Sequence, residues 1–239
     1  MHAVTTALVL GAIMFAGPAA GAPAGSPELS RCPALSPLAE PLNDRTRPLP
    51  VPASYAMIMA SGRDRFAVST IYGGTVCIDS RPMTKVRNFT ISEDRRFFEF
   101  DWTGYEADGH IVVDRTGKGQ VIDTGVSPVS SPTASRFAAI QQSEAAFGAL
   151  EGFGVWQVAV VGIRRLTLQQ DIPALADWRI DRWVGDDCIE LSGIPYGRMT
   201  DPGIAPAKLR RDRYVAAAGG SGWLVTPTAS GCPPVKKRK

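Results

Sequence analysis

The chain has 239 residues, of which 44% are apolar and 21% are charged. This balance excludes a largely disordered chain and fits one ordinary globular domain or two small ones. The formal net charge is +3, but the four residues 236–239, KKRK, all carry positive charges. The rest of the chain is therefore close to −1 (+3 minus 4), so we predict no nucleic-acid partner and interpret residues 231–239 as a basic tail.

The first 24 residues have the pattern of a secretory signal peptide. An apolar run from Ala7 to Ala16 is followed by small residues, and Ala22 and Ala24 suit a cleavage site. The alternative, an uncleaved membrane anchor, requires an apolar run of about 20 residues. Pro18 comes too early for that. We therefore expect an exported protein, periplasmic or extracellular, without a membrane span.

The sequence has four widely spaced cysteines: Cys32, Cys77, Cys188 and Cys232. Their interpretation depends on the predicted export. None belongs to a C-x-x-C pair, so neither a zinc site nor a disulfide-exchange site is predicted. In an oxidising compartment an even number of cysteines favours two structural disulfides. Four cysteines allow three connectivities. A free nucleophilic cysteine is the alternative.

Seven prolines in residues 25–52 argue against regular helix or central strand in that stretch. We predict an extended N-terminal arm there, held by Cys32. From residue 53 to residue 230, short apolar runs alternate with Gly-rich turns, which is typical of an all-β domain. Residues 133–152 also carry apolar side chains at helical spacing. We nevertheless predict a strand over Phe137–Gln142, because that stretch belongs to a repeat.

The repeat becomes visible when Phe97 is aligned with Phe137, at an offset of 40 residues. A period of 40–45 residues is typical of four-stranded propeller blades. The chain resembles TolB-type β-propeller repeats, in which a Ser-Pro-Asp-Gly turn leads into an apolar strand. The turn at residues 92–95, SEDR, lacks the Pro and Gly, and the turn at residues 131–134, SPTA, lacks the Asp and Gly.

The resemblance covers roughly residues 55–225 and implies a small or partial β-propeller of about four blade-like units. A β-sandwich is the alternative. A closed ring would bring the first and last units together, which would pair Cys77 with Cys188 and Cys32 with Cys232. An open array would separate the end units and forbid the first of these pairs.

Residues 91–117 hold the densest cluster of polar and aromatic side chains. His110 is the only histidine after the leader, so a hydrolytic triad would have to use it. No Gly-x-Ser-x-Gly pattern accompanies it, and we expect a strand-end residue bonded to a carbonyl or a carboxylate. Asp101, Glu106 and Asp108 have the residue types of a glycosidase acid–base pair. They equally suit a tight turn, with Asp108-Gly109 supplying a positive φ.

Trp102 and Tyr105 predict a stacking surface for a sugar or a peptide, with ordinary packing as the alternative. The matching loop one repeat later contributes Glu144 and Phe147. A further pair, Asp186-Asp187, has the residue type of a calcium site but also that of a solvated turn. The predicted binding rim consists of Asp101, Trp102, Tyr105, Glu106, His110, Glu144 and Phe147.

These features together predict an exported, non-enzymatic binding or interaction module. Its partner would be a protein or a cell-envelope component, in line with propellers that serve as interaction platforms. The alternative is a hydrolase that uses the carboxylates around Asp101 and Glu106. We expect no metal and no other cofactor.

Overall fold

The computed structural model describes residues 26–37, 45–143, 148–199, 208–219 and 222–234. The predicted leader, residues 1–24, lies outside these ranges, and so do the basic residues 236–239. Among the described residues, no helix combines the length and the apolar character that crossing a bilayer requires.

The described chain is built almost entirely of β-strands, which confirms the all-β prediction. The helices are short: two 3-10 turns, Leu29–Arg31 and Ala53–Tyr55, and the α-helix Tyr196–Met199. The strands are β1 Met59–Ser61, β2 Arg65–Ser69, β3 Thr75–Asp79, β4 Met83–Ile91, β5 Phe97–Gly104, β6 Asp108–Asp114, β7 Gln120–Asp123, β8 Val129–Ser130, β9 Arg136–Gln141, β10 Gly152–Val158, β11 Ile163–Gln169, β12 Leu175–Val184, β13 Cys188–Pro195, β14 Asp212–Gly219 and β15 Gly222–Pro227.

The strands form four antiparallel sheets, each with its strands in chain order. Sheet 1 contains β1–β3, sheet 2 contains β4–β7, sheet 3 contains β8–β11 and sheet 4 contains β12–β15. Each sheet is therefore a meander whose neighbouring strands are also neighbours in sequence. Short connections of this kind suit a chain rich in Gly and Pro turns.

Period-2 alternation accounts for the strand at the centre of sheet 2. In β5, Phe98, Phe100 and Trp102 are buried, while Phe97, Glu99 and Asp101 between them are only half-buried. Alternate residues of a strand face opposite sides of the sheet, so one side of β5 is apolar and the other carries two carboxylates. The ambiguous stretch in sheet 3 is also a strand, β9, as predicted, because burial of both faces outweighs its helical composition.

Three apolar clusters lie between consecutive sheets. The first joins Phe66 of sheet 1 to Phe98 and Phe100 of sheet 2. The second joins Val112 of sheet 2 to Phe137 of sheet 3. The third joins sheet 3 to sheet 4. Sheets 2 and 3 are therefore covered on both faces, and among the described residues none of these clusters joins sheet 1 to sheet 4.

The repeat is real in sheets 2 and 3, but its register differs by one residue from the predicted one. The Ser92 N–H donates to the Phe97 carbonyl, and the Ser131 N–H donates to the Arg136 carbonyl, both at 2.9 Å. The offset is therefore 39 residues (92 to 131), which makes Phe98 the counterpart of Phe137. A slip of one residue reverses every side chain of a strand, and only the 39-residue offset makes both phenylalanines face the preceding sheet.

The disulfides connect Cys32 to Cys77 and Cys188 to Cys232, with Cα–Cα distances of 5.6 and 6.0 Å. The existence of two disulfides is confirmed, and no described cysteine is free. The predicted pairs, Cys77 with Cys188 and Cys32 with Cys232, are wrong. Each bond ties a terminal segment to the nearest end sheet instead of joining the two end sheets.

The N-terminal arm lies along sheet 1. Arg65 of β2 donates a hydrogen bond to the carbonyl of Cys32 at 3.3 Å, and Arg81 donates one to the carbonyl of Ser36 at 2.6 Å. These contacts and the disulfide hold a segment that has almost no secondary structure of its own. A Pro-rich segment lacks donors for strand pairing, so side-chain donors from the sheet take over that role.

Candidate functional site

His110 lies between two carboxylates on the side of sheet 2 that faces sheet 3. Its Nδ1 is 2.6 Å from Oδ1 of Asp101, and its Nε2 is 3.3 Å from Oε2 of Glu99. The imidazole is almost fully buried, with 5% of its side chain exposed, whereas Glu99 and Asp101 keep 28% and 26% exposed. The histidine is thus the buried centre of a partly exposed acidic pair.

The β5–β6 hairpin brings the three side chains together. His110 is the direct cross-strand partner of Asp101, and Val112 is the partner of Glu99. Because Glu99 and Asp101 are two residues apart on β5, they face the same side as His110. The second oxygen of Asp101 accepts a hydrogen bond of 2.6 Å from the Asn88 side chain on β4.

The surroundings of His110 favour its protonated form. Burial of the ring opposes the charge, but the hydrogen bonds and negative charges of Glu99 and Asp101 outweigh burial and raise the pKa of His110 above its ordinary value. The Arg87 guanidinium lies 4.0 Å from the other oxygen of Asp101. The hydrogen bonds of the ring to Asp101 and Glu99 hold both carboxylates in place.

Glu99 also lines a cleft of about 740 Å³ between sheets 2 and 3. Phe97 and Val112 of sheet 2 form one wall, and Phe137, Ser130 and Val158 belong to the other. The remaining lining residues are Ser92, Glu93, Asp94, Pro128 and Ala134. The cleft is therefore apolar and aromatic in its walls and polar at its rim and at Glu99.

The charged residues that line this cleft are all acidic: Glu93, Asp94 and Glu99. Hydrogen bonds from the Ser92 hydroxyl, at 2.6 Å, and from the Arg96 backbone N–H, at 3.0 Å, lower the pKa of Asp94. Arg96 is close by, but its guanidinium forms a two-point ion pair with Asp114, with a shortest distance of 2.7 Å. The positive charge of Arg96 also helps to lower the pKa of Asp94, whereas, within the described residues, Glu93 and Glu99 form no ion pair with it.

Trp102 belongs to the core and fits the packing alternative, because only 7% of it is exposed. Its indole N–H donates a hydrogen bond of 2.7 Å to Oδ2 of Asp123. Burial raises the pKa of the Asp123 carboxyl, although N–H groups of Gly125, Trp102 and His110 oppose that rise. The indole lies over Gly109, where a Cβ would come within 2.3 Å of the indole nitrogen.

The tip of the β5–β6 hairpin is exposed and differs from the predicted turn. Gly104 N–H bonds to the Ala107 carbonyl at 2.6 Å, and the residue with positive φ is Glu106, at 53°. Gly109 lies within β6 instead of in the turn, so its role is to leave room for Trp102. Tyr105 is 78% exposed at this tip.

The other predicted site residues do not form one cluster. Asp108 accepts a hydrogen bond of 3.0 Å from Gln141 of sheet 3. Asp186 accepts one of 2.8 Å from the Thr133 hydroxyl, and Asp187 pairs with Arg136 at 2.5 Å. Glu144 and Phe147 lie outside the described residues. Within the described part of the chain, no group of three His, Cys, Asp or Glu side chains is arranged to hold a metal ion.

Glu99 was not among the predicted site residues, although the sequence carries a signal for it. In the run FFEFDW, Glu99 and Asp101 alternate with apolar residues and so share a face with each other. Recognising His110 as the cross-strand partner of Asp101 would have completed the cluster. The cleft itself has no such signal, because it depends on the distance between two sheets.

Comparisons with known proteins give no family for this chain. No family model matches it, and a search of curated proteins finds no significant match.

Proposed function

We propose that this protein is an exported, non-enzymatic binding module whose ligand occupies the cleft between sheets 2 and 3. Its partner is a protein or another component of the cell envelope, in the periplasm or outside the cell. Two disulfides are consistent with an oxidising compartment and agree with the leader pattern of residues 1–24. The four meanders with shared cores between consecutive sheets support an open, partial propeller as the scaffold.

The observation that carries the proposal is the position of Glu99 at the cleft. Ligand sites are concave, largely apolar and fitted with a few fixed polar groups, in volumes of roughly 300–1,000 Å³. The cleft has about 740 Å³, aromatic walls and a carboxylate held from behind by His110. Because His110 already holds the Glu99 side chain, that side chain loses less conformational entropy when a ligand binds to it.

The hydrolase alternative has less support from the geometry. Hydrolysis of a glycoside requires two carboxyl groups that face one substrate. Both oxygens of Asp101 are engaged, by His110 and Asn88, and Glu106 lies at the exposed hairpin tip. Both ring nitrogens of His110 face carboxylates, so the histidine is not directed at a substrate.

Blocking the cleft is expected to abolish capture of the partner. Ser130 is exposed and is the cross-strand partner of Phe137, so in Ser130→Trp the indole would fill the cleft from the sheet 3 side. We expect this variant to recover at least about tenfold less of the partner from envelope extract than the unaltered protein does, since a filled site loses most of its ligand contacts. Recovery is measured by quantitative mass spectrometry on immobilised protein.

Thr226→Trp is the matched control, because Thr226 is an exposed strand residue of sheet 4 away from the cleft. It should capture the same species as the unaltered protein. Urea unfolding of both variants shows whether each is folded. Equal capture by a folded Ser130→Trp variant would place the binding surface elsewhere and contradict the proposal.

A further inference from the structure

We infer that the cleft takes a cationic side chain, a lysine or arginine, carried by a short apolar or aromatic peptide segment. This inference rests on the proposed function and specifies the chemistry of its ligand. The juxtaposition that supports it is a set of carboxylates beside two aromatic rings in the lining of one cleft.

Charge complementarity selects the sign of the ligand. Among the described residues, the three charged side chains that line the cleft, Glu93, Asp94 and Glu99, are all carboxylates. Glu93 forms no ion pair with another described residue. Anionic ligands such as phosphates would meet repulsion on entry, whereas a cation gains from all three charges.

One carboxylate oxygen of Glu99 can accept a hydrogen bond from a ligand. Its Oε2 faces His110 at 3.3 Å, and the structure gives its Oε1 no hydrogen bond from any described residue. A carboxylate that lines a cleft and is held through only one of its oxygens suits an ammonium or guanidinium group. Part of the carboxylate remains exposed, so the site is reachable from outside.

The apolar walls of the cleft suit the aliphatic stem of a lysine or arginine side chain. Lysine and arginine bury an aliphatic stem against apolar surfaces while the charged head stays polar. Phe97 and Phe137 provide aromatic surface from the two opposing sheets. Phe97 already lies beneath one guanidinium, that of Arg96, with its Cζ 4.8 Å from the ring centroid. Aromatic rings that attract cations in this way are a general means of recognising them.

The size of the cleft indicates a peptide segment rather than a free amine. A volume of about 740 Å³ exceeds the needs of one ammonium group and its stem. Sites of this size bury ligands of drug size. A few peptide residues around one lysine or arginine match both the volume and the apolar walls, in agreement with a protein partner.

The test uses three blocked pentapeptides, acetyl-Ser-Phe-Xaa-Phe-Ser-amide, in which Xaa is lysine, norleucine or glutamate. Calorimetric titration should show the lysine peptide binding at least about tenfold more tightly than the norleucine peptide, with the glutamate peptide weakest. Glu99→Gln should reduce the preference for lysine over norleucine to less than about threefold. Asp171→Asn, which removes an exposed carboxylate in the β11–β12 loop, should leave the preference unchanged.

Equal binding of the lysine and norleucine peptides, lost in Ser130→Trp, would overturn the inference and leave the cleft as the ligand site. Binding of none of the three peptides would also overturn it, and partner capture would then decide the proposed function separately. Lysine selectivity that survives in Ser130→Trp would contradict both. Selectivity that is lost in Glu99→Gln and kept in Asp171→Asn supports the inference.

Discussion

Replacing Trp102 by alanine is expected to lower the free energy of unfolding by about 3–5 kcal/mol, the usual cost of truncating a buried aromatic side chain. The indole packs in the cluster between sheets 1 and 2 and covers Gly109. Its loss also removes the N–H donor to Asp123, a carboxylate whose other partners are backbone N–H groups. Urea unfolding followed by fluorescence or circular dichroism measures the change.

Tyr105→Ala is the matched control, because Tyr105 lies three residues further along the same hairpin and is 78% exposed. We expect this change to alter the unfolding free energy by no more than about 0.5 kcal/mol, as is usual for a surface position. If Trp102→Ala cost less than about 1 kcal/mol, or if both variants lost equal stability, the assignment of Trp102 to the core would be wrong.

Removing the Cys32–Cys77 disulfide by the double change Cys32→Ser and Cys77→Ser is expected to cost about 2–4 kcal/mol. The bond joins residues 45 positions apart, and the chain-entropy model assigns a loop of that length roughly 4 kcal/mol, which native-state strain reduces. The arm would retain only side-chain contacts such as those from Arg65 and Arg81. Chemical unfolding of the oxidised proteins measures the difference.

The double change at Cys188 and Cys232 is the parallel case, since its residues are 44 positions apart and it anchors the opposite end of the chain. Peptide mapping without reduction identifies the pairs directly. Recovery of a peptide in which Cys32 is joined to Cys232 would contradict the structure, whereas Cys32 joined to Cys77 agrees with it.

The sequence carries most of the local structure of this fold. Alternation in FFEFDW specifies β5, and glycine lies in many of the connections between strands. The repeat predicted β9 as a strand in spite of its helical composition, and the structure confirms this prediction. The stretch is a strand because both of its faces are buried between two sheets. Patterns of this kind are local, and burial of a face is enough to produce them.

Features that depend on the distances between sheets could not be predicted from such local sequence patterns. The pairing of the cysteines depends on where the two terminal segments lie, and the predicted pairs assumed a closed ring of propeller-like units that would have joined the ends. Tryptophan often stacks against ligands, so the sequence suggested that role for Trp102. Only its position opposite Gly109 shows that the indole packs against the hairpin instead. Glu99 resembles an ordinary solvent-facing strand residue until sheet 3 is seen to cover it.

The magnetic resonance titration of His110 tests the central claim, that Glu99 held by His110 forms the ligand site, most directly. The sequence contains two histidines, and a chain that begins at Gly25 keeps only His110, so its ring signals are unambiguous. In the free protein we predict a pKa above the ordinary value for histidine, because Glu99 and Asp101 favour the charged ring.

Saturation with the lysine pentapeptide should lower that pKa, because a second cation at Glu99 disfavours the charge on His110. By linkage, binding of the peptide then releases protons at pH values between the pKa of His110 in the complex and its pKa in the free protein. A His110 titration curve that is the same with and without saturating peptide would contradict the claim, since no cation could lie against Glu99 without affecting the ring 3.3 Å away.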